Sequence, residues 1–100
     1  MVLSTTQSIE GHKIENYLGI VTGVAVSMPK ASFSFNMKKY YESYGTRVDE
    51  IKEEAFQKLQ ENAIKLKANA VVGITIDIEA SSTSGVIFVS LTGTAVKIVV

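Results

Sequence analysis

The C-terminal third of this chain constrains its fold most strongly. Residues 70–79 alternate between β-branched and small or polar side chains, and residues 86–100 form a long, almost unbroken apolar run. Alternation with period two and β-branched composition are typical of strands. The small polar residues at 80–85, which end in Gly85, are typical of a hairpin connection. The sequence therefore predicts two antiparallel strands here, the second of them unusually long.

A long helix is predicted immediately before this hairpin, over residues 46–67. Apolar residues recur there at spacings of three and four, which is the period of a helix that buries one face. This stripe consists of Val48, Ile51, Ala55, Leu59, Ala63 and Leu66, with Phe56 widening it. Thr46 followed by Asp49 predicts the helix start, since the pair resembles a capping box. Glu54 stands four residues before Lys58, which favours an ion pair on the outer face.

A further strand is predicted at 13–27, where apolar residues again recur with period two and Pro29 ends the pattern. Gly19 and Gly23 inside this strand indicate a bend, a bulge or the close approach of another backbone. A short β-prone segment at 2–6 precedes it.

The order of these elements predicts the fold class. One hundred residues form a single domain, 1–100, with room for one modest core. Strands at both ends of the chain and one helix between them predict an α+β fold. We expect a mainly antiparallel sheet of three or four strands, with the one long helix on one face.

The predicted sheet carries more apolar surface than one helix covers. We expect the helix to cover the row Val72, Ile74, Ile76 and Ile78. The opposite face would then expose Val21, Val71, Val86, Phe88 and Val96. Exposed apolar area of this extent usually marks an interface, so the sequence predicts a homo-oligomer. The alternative is that residues 28–45 cover this second face.

Strand length supports the same prediction. Fifteen residues at 86–100 reach about 50 Å if the strand is straight. A compact domain of this size has a radius of gyration of about 13 Å. The strand must therefore bend, most simply at Gly93, or pack its end on another subunit.

The segment 28–45 holds five of the eight aromatic residues. Five side chains in it fall at helical spacing: Phe33, Met37, Tyr40, Tyr41 and Tyr44. One interpretation is an amphipathic helix that packs on the sheet or on a neighbouring subunit. A second is a ligand-binding site, because tyrosine offers both ring faces and a hydroxyl group to a small molecule. A third is the stacking of nucleic-acid bases beside Lys38 and Lys39, although two lysines attract phosphate groups only weakly.

Composition argues against several classes of function. Acidic and basic residues balance to a net charge of zero, which does not favour binding to nucleic acid or to an anionic membrane. Cysteine is absent, which removes disulfides and thiolate chemistry. No apolar run approaches the roughly 20 residues of a membrane helix. The first residues lack the pattern of a signal peptide, so we expect a cytoplasmic protein.

Catalytic patterns are weak. His12 is the single histidine and therefore the one candidate metal ligand of the soft type, although a zinc site needs several such ligands. Serine residues are common, but none lies in a Gly-x-Ser-x-Gly elbow. The glycines at 19 and 23 lie inside a strand and do not precede a helix, as a phosphate-binding loop would require. We expect a protein that is not an enzyme, and the sequence indicates no particular cofactor.

Three short motifs resemble one known family. They are Tyr-Leu-Gly-Ile-Val-Thr-Gly at 17–23, Ala-Asn-Ala-Val-Val-Gly-Ile at 68–74 and Thr-Gly-Thr-Ala-Val at 92–96. In order and spacing they are similar to the YbjQ-like family, which is uncharacterised and carries the label "putative heavy-metal-binding domain". The chain departs from it at Lys67, where the family commonly has glycine as the helix stop. We expect Asn69 to take over that role.

This resemblance implies a structure, and its label adds one function to the one that the residue pattern favours. It implies a dodecin-like β-α-β-β subunit that assembles as a pentameric ring. A non-catalytic scaffold or small-ligand-binding module is the first function that we expect. Heavy-metal binding or sequestration in the assembled oligomer is the alternative.

Overall fold

The computed structural model describes residues 1–27, 37–81 and 84–100, and for residues 37–46 it describes the backbone alone. The elements are β1 (Val2–Leu3), β2 (Ile14–Ser27), α1 (Met37–Lys65), β3 (Ala70–Ala80) and β4 (Ile87–Ile98). They form one sheet in the order β1-β3-β4-β2. Strand β1 runs parallel to β3, and the two other pairs are antiparallel. The predicted α+β fold with a mainly antiparallel sheet is confirmed.

The start of helix α1 differs from the prediction. The helix begins at Met37 and not at Thr46, so Gly45 and Thr46 lie inside it. Residues 37–44 contain no proline and no further glycine. Helical structure can therefore continue through Gly45 at a cost of about 1 kcal/mol. The predicted ion pair between Glu54 and Lys58 is present at 3.2 Å.

The end of α1 is a Schellman motif. The backbone N–H of Ala68 donates to Ala63 O at 3.1 Å, and that of Lys67 donates to Ile64 O at 2.8 Å. Lys67 itself has the left-handed conformation, with a φ of 64°. This is the position that glycine usually occupies in such a motif. The prediction that Asn69 replaces the missing glycine is therefore wrong.

One face of the sheet packs against α1. The buried part of the helix stripe consists of Ile51, Ala55, Leu59 and Ala63. It covers β2 and β4, where Gly23 lies directly against the helix backbone. A Cβ atom at Gly23 would overlap Ala55 O and lie 2.7 Å from Leu59 N. The predicted close approach of a second backbone at this glycine is confirmed.

A β-bulge in β3 changes which residues face the helix. The pairing with β4 passes from Val72↔Thr94 to Thr75↔Thr92, so that two residues oppose a single one. Gly73 takes a φ of 62° inside this bulge. An extra residue in one strand shifts the alternation of its side chains between the two faces. Val72 therefore belongs to the face away from α1, and the predicted row from Val72 to Ile78 is wrong.

The two faces of the sheet have separate apolar clusters. The larger cluster, under α1, includes Val21 and Val71, which the sequence analysis placed on an uncovered face. The smaller cluster lies on the opposite face and contains Ala70, Val72, Val96 and Ile98. Ile9, from the N-terminal segment, packs against this smaller cluster. The N-terminal segment thus covers one end of the second face, and Val96 is fully buried there.

The domain is elongated. Its radius of gyration is 16.6 Å and its longest extent is 55 Å. A compact chain of this length has a radius of gyration of about 13 Å. Within the residues described, no helix combines the length and the apolar character needed to cross a membrane.

Candidate functional site

The sheet face away from α1 carries exposed apolar residues along β2. Ile20 is 76% exposed and Val26 is 49% exposed, and Val24 between them is also exposed. Their partners in β4 are Thr94, Phe88 and Ser90 respectively. Cross-strand partners share one face of a sheet, so these side chains form a continuous surface. We call Ile20, Val24 and Val26 the uncovered face.

A second apolar surface lies on the helix side of β3. Ile76 and Ile78 pair with Leu91 and Val89, which are buried under α1. The two isoleucines are nevertheless 46% and 44% exposed, because the helix lies over β2 and β4 and barely reaches β3. Asp77 alternates with them and is exposed on the opposite face.

The backbone of β3 is open along the same stretch. Ser81 N donates to Val86 O at 2.9 Å, so Ser81 faces β4. Backbone groups alternate along a strand, and Ile76, Ile78 and Ala80 therefore direct their N–H and C=O groups away from β4. In the described part of the chain these groups accept or donate no hydrogen bond. We call residues 76–80 the open edge.

The other edge of the sheet is protected by side chains of α1. Strand β2 is last in the sheet order, and its carbonyl groups at Thr22 and Val24 receive donors from the helix. Asn62 Nδ2 donates to Thr22 O at 2.7 Å, and Lys58 Nζ donates to Val24 O at 3.1 Å. Helix side chains that bind these carbonyl groups also cover the edge, so β2 is less available to an added strand than the open edge is.

His12 lies in a tight turn that is closed by its bridge to Ile9. Its ring Nδ1 is 2.9 Å from Val99 O. A carbonyl oxygen can only accept, so Nδ1 carries the hydrogen and the ring orientation is fixed. Nε2 is then the nitrogen left for a metal ion, an arrangement that is common among histidine ligands.

The described residues do not assemble a metal site around His12. No group of three or more histidine, cysteine, aspartate or glutamate residues lies close enough together, within the ranges described, to hold a metal ion. A zinc site takes three or four protein ligands from cysteine, histidine, aspartate and glutamate side chains. His12 supplies one of these, and the described residues of one chain supply no cluster that completes the site.

The predicted aromatic site falls on the part of the chain with the least description. Phe33 lies outside the described residues. Met37, Tyr40, Tyr41 and Tyr44 lie on the first turns of α1, but their side chains also lie outside the description. The backbone confirms a helix over these four positions. The ligand site itself stays a prediction.

Sequence reasoning missed two side chains that organise the fold. The Arg47 guanidinium donates to Gly85 O at 3.1 Å and to Ser27 Oγ at 3.3 Å. It thereby joins α1 to the end of β2 and to the start of β4. Asn69 hydrogen-bonds both backbone groups of Ile98. Asn69 follows the end of α1, and a polar residue at such a position was an available signal, although it does not identify the partner. Arg47 lies inside α1, and its sequence position gives no comparable signal.

Comparison with known proteins identifies the family. The model of the YbjQ family, described as "Putative heavy-metal-binding", matches residues 1–99. A UPF0145 protein from Acetivibrio thermocellus is 33% identical over 105 residues, which covers 98% of this chain and 99% of the relative. Another, from Clostridium botulinum (strain Eklund 17B / Type B), is 34% identical over 103 residues, with 96% and 97% covered.

A solved structure shows the same fold. It is a protein of unknown function from Pediococcus pentosaceus, and it superposes with a TM-score of 0.75 over 99% of this chain and 98% of its own. Its sequence is 20% identical, so the likeness concerns the fold alone. The match over residues 1–99 and the two relatives confirm the resemblance that the three motifs indicated. The chain belongs to the YbjQ family, which is uncharacterised and carries no catalytic description.

Proposed function

We propose that this chain is the subunit of a pentameric ring with a non-catalytic role, as a scaffold or as a small-ligand-binding module. The observation that supports association best is the uncovered face, where Ile20, Val24 and Val26 are exposed on the same side of β2. Several large apolar side chains exposed on one face of a domain favour an interaction site there. The ring and its five subunits follow from the family resemblance.

The size of the apolar surface favours a closed ring over a single contact. Burying a half-exposed isoleucine or valine contributes about 1 kcal/mol. The three side chains of the uncovered face and the two isoleucines of the open edge together thus contribute about 5 kcal/mol. Association costs at least about 4 kcal/mol in lost freedom, so one seam of this kind is marginal. A ring gives every subunit two seams and offsets that cost better.

Sedimentation velocity at micromolar concentration tests association directly. We expect one species larger than the monomer, and a shift toward monomer for Ile20→Lys, which places a charge on the uncovered face. Gln57→Lys is the matched control, because Gln57 is exposed on α1. A monomeric unmodified protein, or an oligomer that Ile20→Lys leaves intact, would count against the uncovered face as a seam.

The small-ligand role depends on the aromatic positions Phe33, Met37, Tyr40, Tyr41 and Tyr44. Tyrosine rings at a subunit seam would offer stacking surfaces and hydroxyl donors to a planar molecule. Thermal shift screening of the assembled protein against a library of aromatic metabolites tests this role. A hit should lose its stabilising effect in the Tyr41→Ala variant if the segment forms the site.

Metal binding in the assembly is a second candidate. The hydrogen bond from His12 to Val99 O supports it, because it fixes the imidazole and leaves Nε2 available. Several copies of His12 would have to meet to complete a site. Calorimetry with Zn²⁺ and Cd²⁺ on the intact oligomer tests this candidate. Equal binding by His12→Gln and by the unmodified protein would remove His12 from it.

A further inference from the structure

We propose that the open edge of β3 binds residues 30–36 of a second copy as an added strand. The inference deepens the proposed self-association and depends on it. It names the segment that one subunit inserts into the next. Residues 76–80 provide the backbone groups, and Ile76 and Ile78 provide apolar contact on the helix side. An exposed strand edge with apolar side chains is a ready template for strand addition.

Residues 30–36 have the side-chain pattern that this edge requires. Their sequence is Lys-Ala-Ser-Phe-Ser-Phe-Asn, in which apolar and polar residues alternate with period two. In a strand, Phe33 and Phe35 would point to one face and Ser32 and Ser34 to the other. The phenylalanine face matches the exposed isoleucines of β3. The polar face matches the side of the sheet that carries Asp77.

Charge favours the same pairing. Asp77 and Glu79 are exposed on one face of the open edge, where neither forms an ion pair within the described residues. Lys30 would stand on that same face of the added strand. Opposite charges across neighbouring strands are stabilising, whereas like charges directly opposite each other are destabilising. Two open edges placed against each other would bring Asp77 and Glu79 together with their copies, which disfavours a β3–β3 contact.

The length of the segment assigns the strand to another copy. Ser27 and Ala80 lie at the same end of the sheet, because both pair with Ile87. Arg47 is bound at that end, and α1 begins ten residues earlier, about 15 Å further out. Ten residues from Ser27 to Met37 reach at most about 35 Å.

A route within one chain is longer than that. It would cross two strands to the outer side of β3, follow the open edge, return and continue to Met37, roughly 55 Å in all. The helix start at Met37 instead extends beyond the end of its own sheet at which Arg47 is bound. This is the direction in which a neighbouring subunit would lie.

Cross-linking between two tagged chains tests the proposal. The protein has no cysteine, so introduced thiols are unique. A tagged Ser34→Cys chain is refolded together with an untagged Asp77→Cys chain and treated with a short bismaleimide. The control pairs Ser34→Cys with Glu53→Cys, an exposed position on α1. We expect at least about tenfold more cross-linked heterodimer than in the control, as adjacency within a complex raises the effective concentration to millimolar.

A proline variant tests the backbone bonds separately. Ile78→Pro removes an N–H that faces away from β4, so the β3–β4 pairing is retained. Ile78→Thr is the matched control, since it also removes the isoleucine but keeps the N–H. We expect the proline variant to shift the oligomer toward monomer at least about tenfold more strongly in dissociation constant than the threonine variant. The circular dichroism of both should match that of the unmodified protein.

The possible outcomes separate this inference from the proposed function. A protein that is monomeric in every form overturns both. An intact oligomer with no enrichment of the Ser34–Asp77 cross-link overturns the added strand and leaves self-association standing. A cross-link that forms within one doubly substituted chain, and not between chains, overturns the assignment to a second copy.

Discussion

The side-chain amide of Asn69 holds both backbone groups of Ile98. Its Oδ1 accepts from Ile98 N at 2.7 Å, and its Nδ2 donates to Ile98 O at 3.0 Å. The backbone N–H of Asn69 also donates to Val96 O at 3.2 Å. Asn69 therefore extends the β3–β4 pairing by one residue, with a side chain in place of a backbone. It joins the end of α1 to the end of the long strand β4.

Asn69→Ala should destabilise the protein by about 2–3 kcal/mol, because two partly buried hydrogen bonds are lost and Ile98 keeps unpaired groups. Asn69→Asp keeps the acceptor and loses the donor, so we expect an intermediate value. Urea denaturation at one fixed protein concentration measures both, since association would otherwise shift the result. An alanine variant as stable as the unmodified protein would show that this contact contributes little.

Substitution of two glycines should have unequal effects. At Gly93 a Cβ would lie 2.6 Å from Val71 Cγ1, a side chain that can shift, and we expect Gly93→Ala to cost about 1–3 kcal/mol. At Gly23 the obstacle is the helix backbone at Ala55 and Leu59, which cannot move without displacing α1. Gly23→Ala should therefore be the more damaging variant. Equal denaturation midpoints for the two would contradict this order.

Lys67→Gly should stabilise the protein. Lys67 has a φ of 64°, which costs a residue with a Cβ about 1 kcal/mol relative to glycine. The matched control is Lys65→Gly inside the last turn of α1, which should destabilise by about 1 kcal/mol. Thermal unfolding of the two variants should show shifts in opposite directions. A lower melting temperature for Lys67→Gly would mean that its side chain matters more than its backbone.

Apolar residues that recur with period two predicted the strands, and spacings of three and four predicted the helix, because burial of one face imposes these spacings. These patterns failed in β3, where the bulge at Gly73 shifts the alternation of side chains. Val72, before the bulge, therefore lies on the opposite face from Ile74, after it. A glycine in a strand indicates such a feature without fixing its register. The start of α1 was missed because Thr46 resembles a cap in sequence, although helix already precedes it.

The sequence predicted that the sheet would expose apolar surface, but it did not predict which residues form that surface. Excess apolar area followed from counting faces, yet the residues first assigned to it, Val21 and Val71, are buried under α1. The exposed ones are Ile20 on one face and Ile76 on the other. Which strand the helix leaves uncovered depends on sheet order, and no local pattern encodes that order. His12 was identified because it is the single histidine, whereas its bond to Val99 required the fold.

Arg47→Ala should loosen the contact between α1 and the end of the sheet at Ser27 and Gly85. The guanidinium makes hydrogen bonds to Gly85 O and to Ser27 Oγ, and a hydrogen bond to a charged group contributes about 1.5–3 kcal/mol. We expect a loss in that range, with faster amide hydrogen exchange in the helix around Val48. Arg47→Lys should recover only part of it, since lysine cannot reach two acceptors with one planar group. Full recovery by lysine would show that the charge alone is sufficient.

The edge of β2 should become prone to intermolecular strand pairing when the helix side chains that cover it are removed. Lys58 and Asn62 satisfy the carbonyl groups of Val24 and Thr22, and the Lys58→Ala, Asn62→Ala double variant leaves both free. An unprotected strand edge next to the uncovered face is a template for uncontrolled pairing. We expect light scattering to rise with concentration beyond that of the unmodified protein.

The control for this edge is Lys52→Ala with Gln60→Ala. It removes the same kind of side chains from partly buried positions on α1 that hydrogen-bond no strand carbonyl among the described contacts. That variant should keep the normal distribution of species. If both double variants scatter equally, the helix itself, and not the two hydrogen bonds, limits association at this edge. If neither double variant scatters, free carbonyl groups at Thr22 and Val24 are insufficient to recruit a strand. The two hydrogen bonds from α1 would then not explain why β2 and β3 differ in strand pairing.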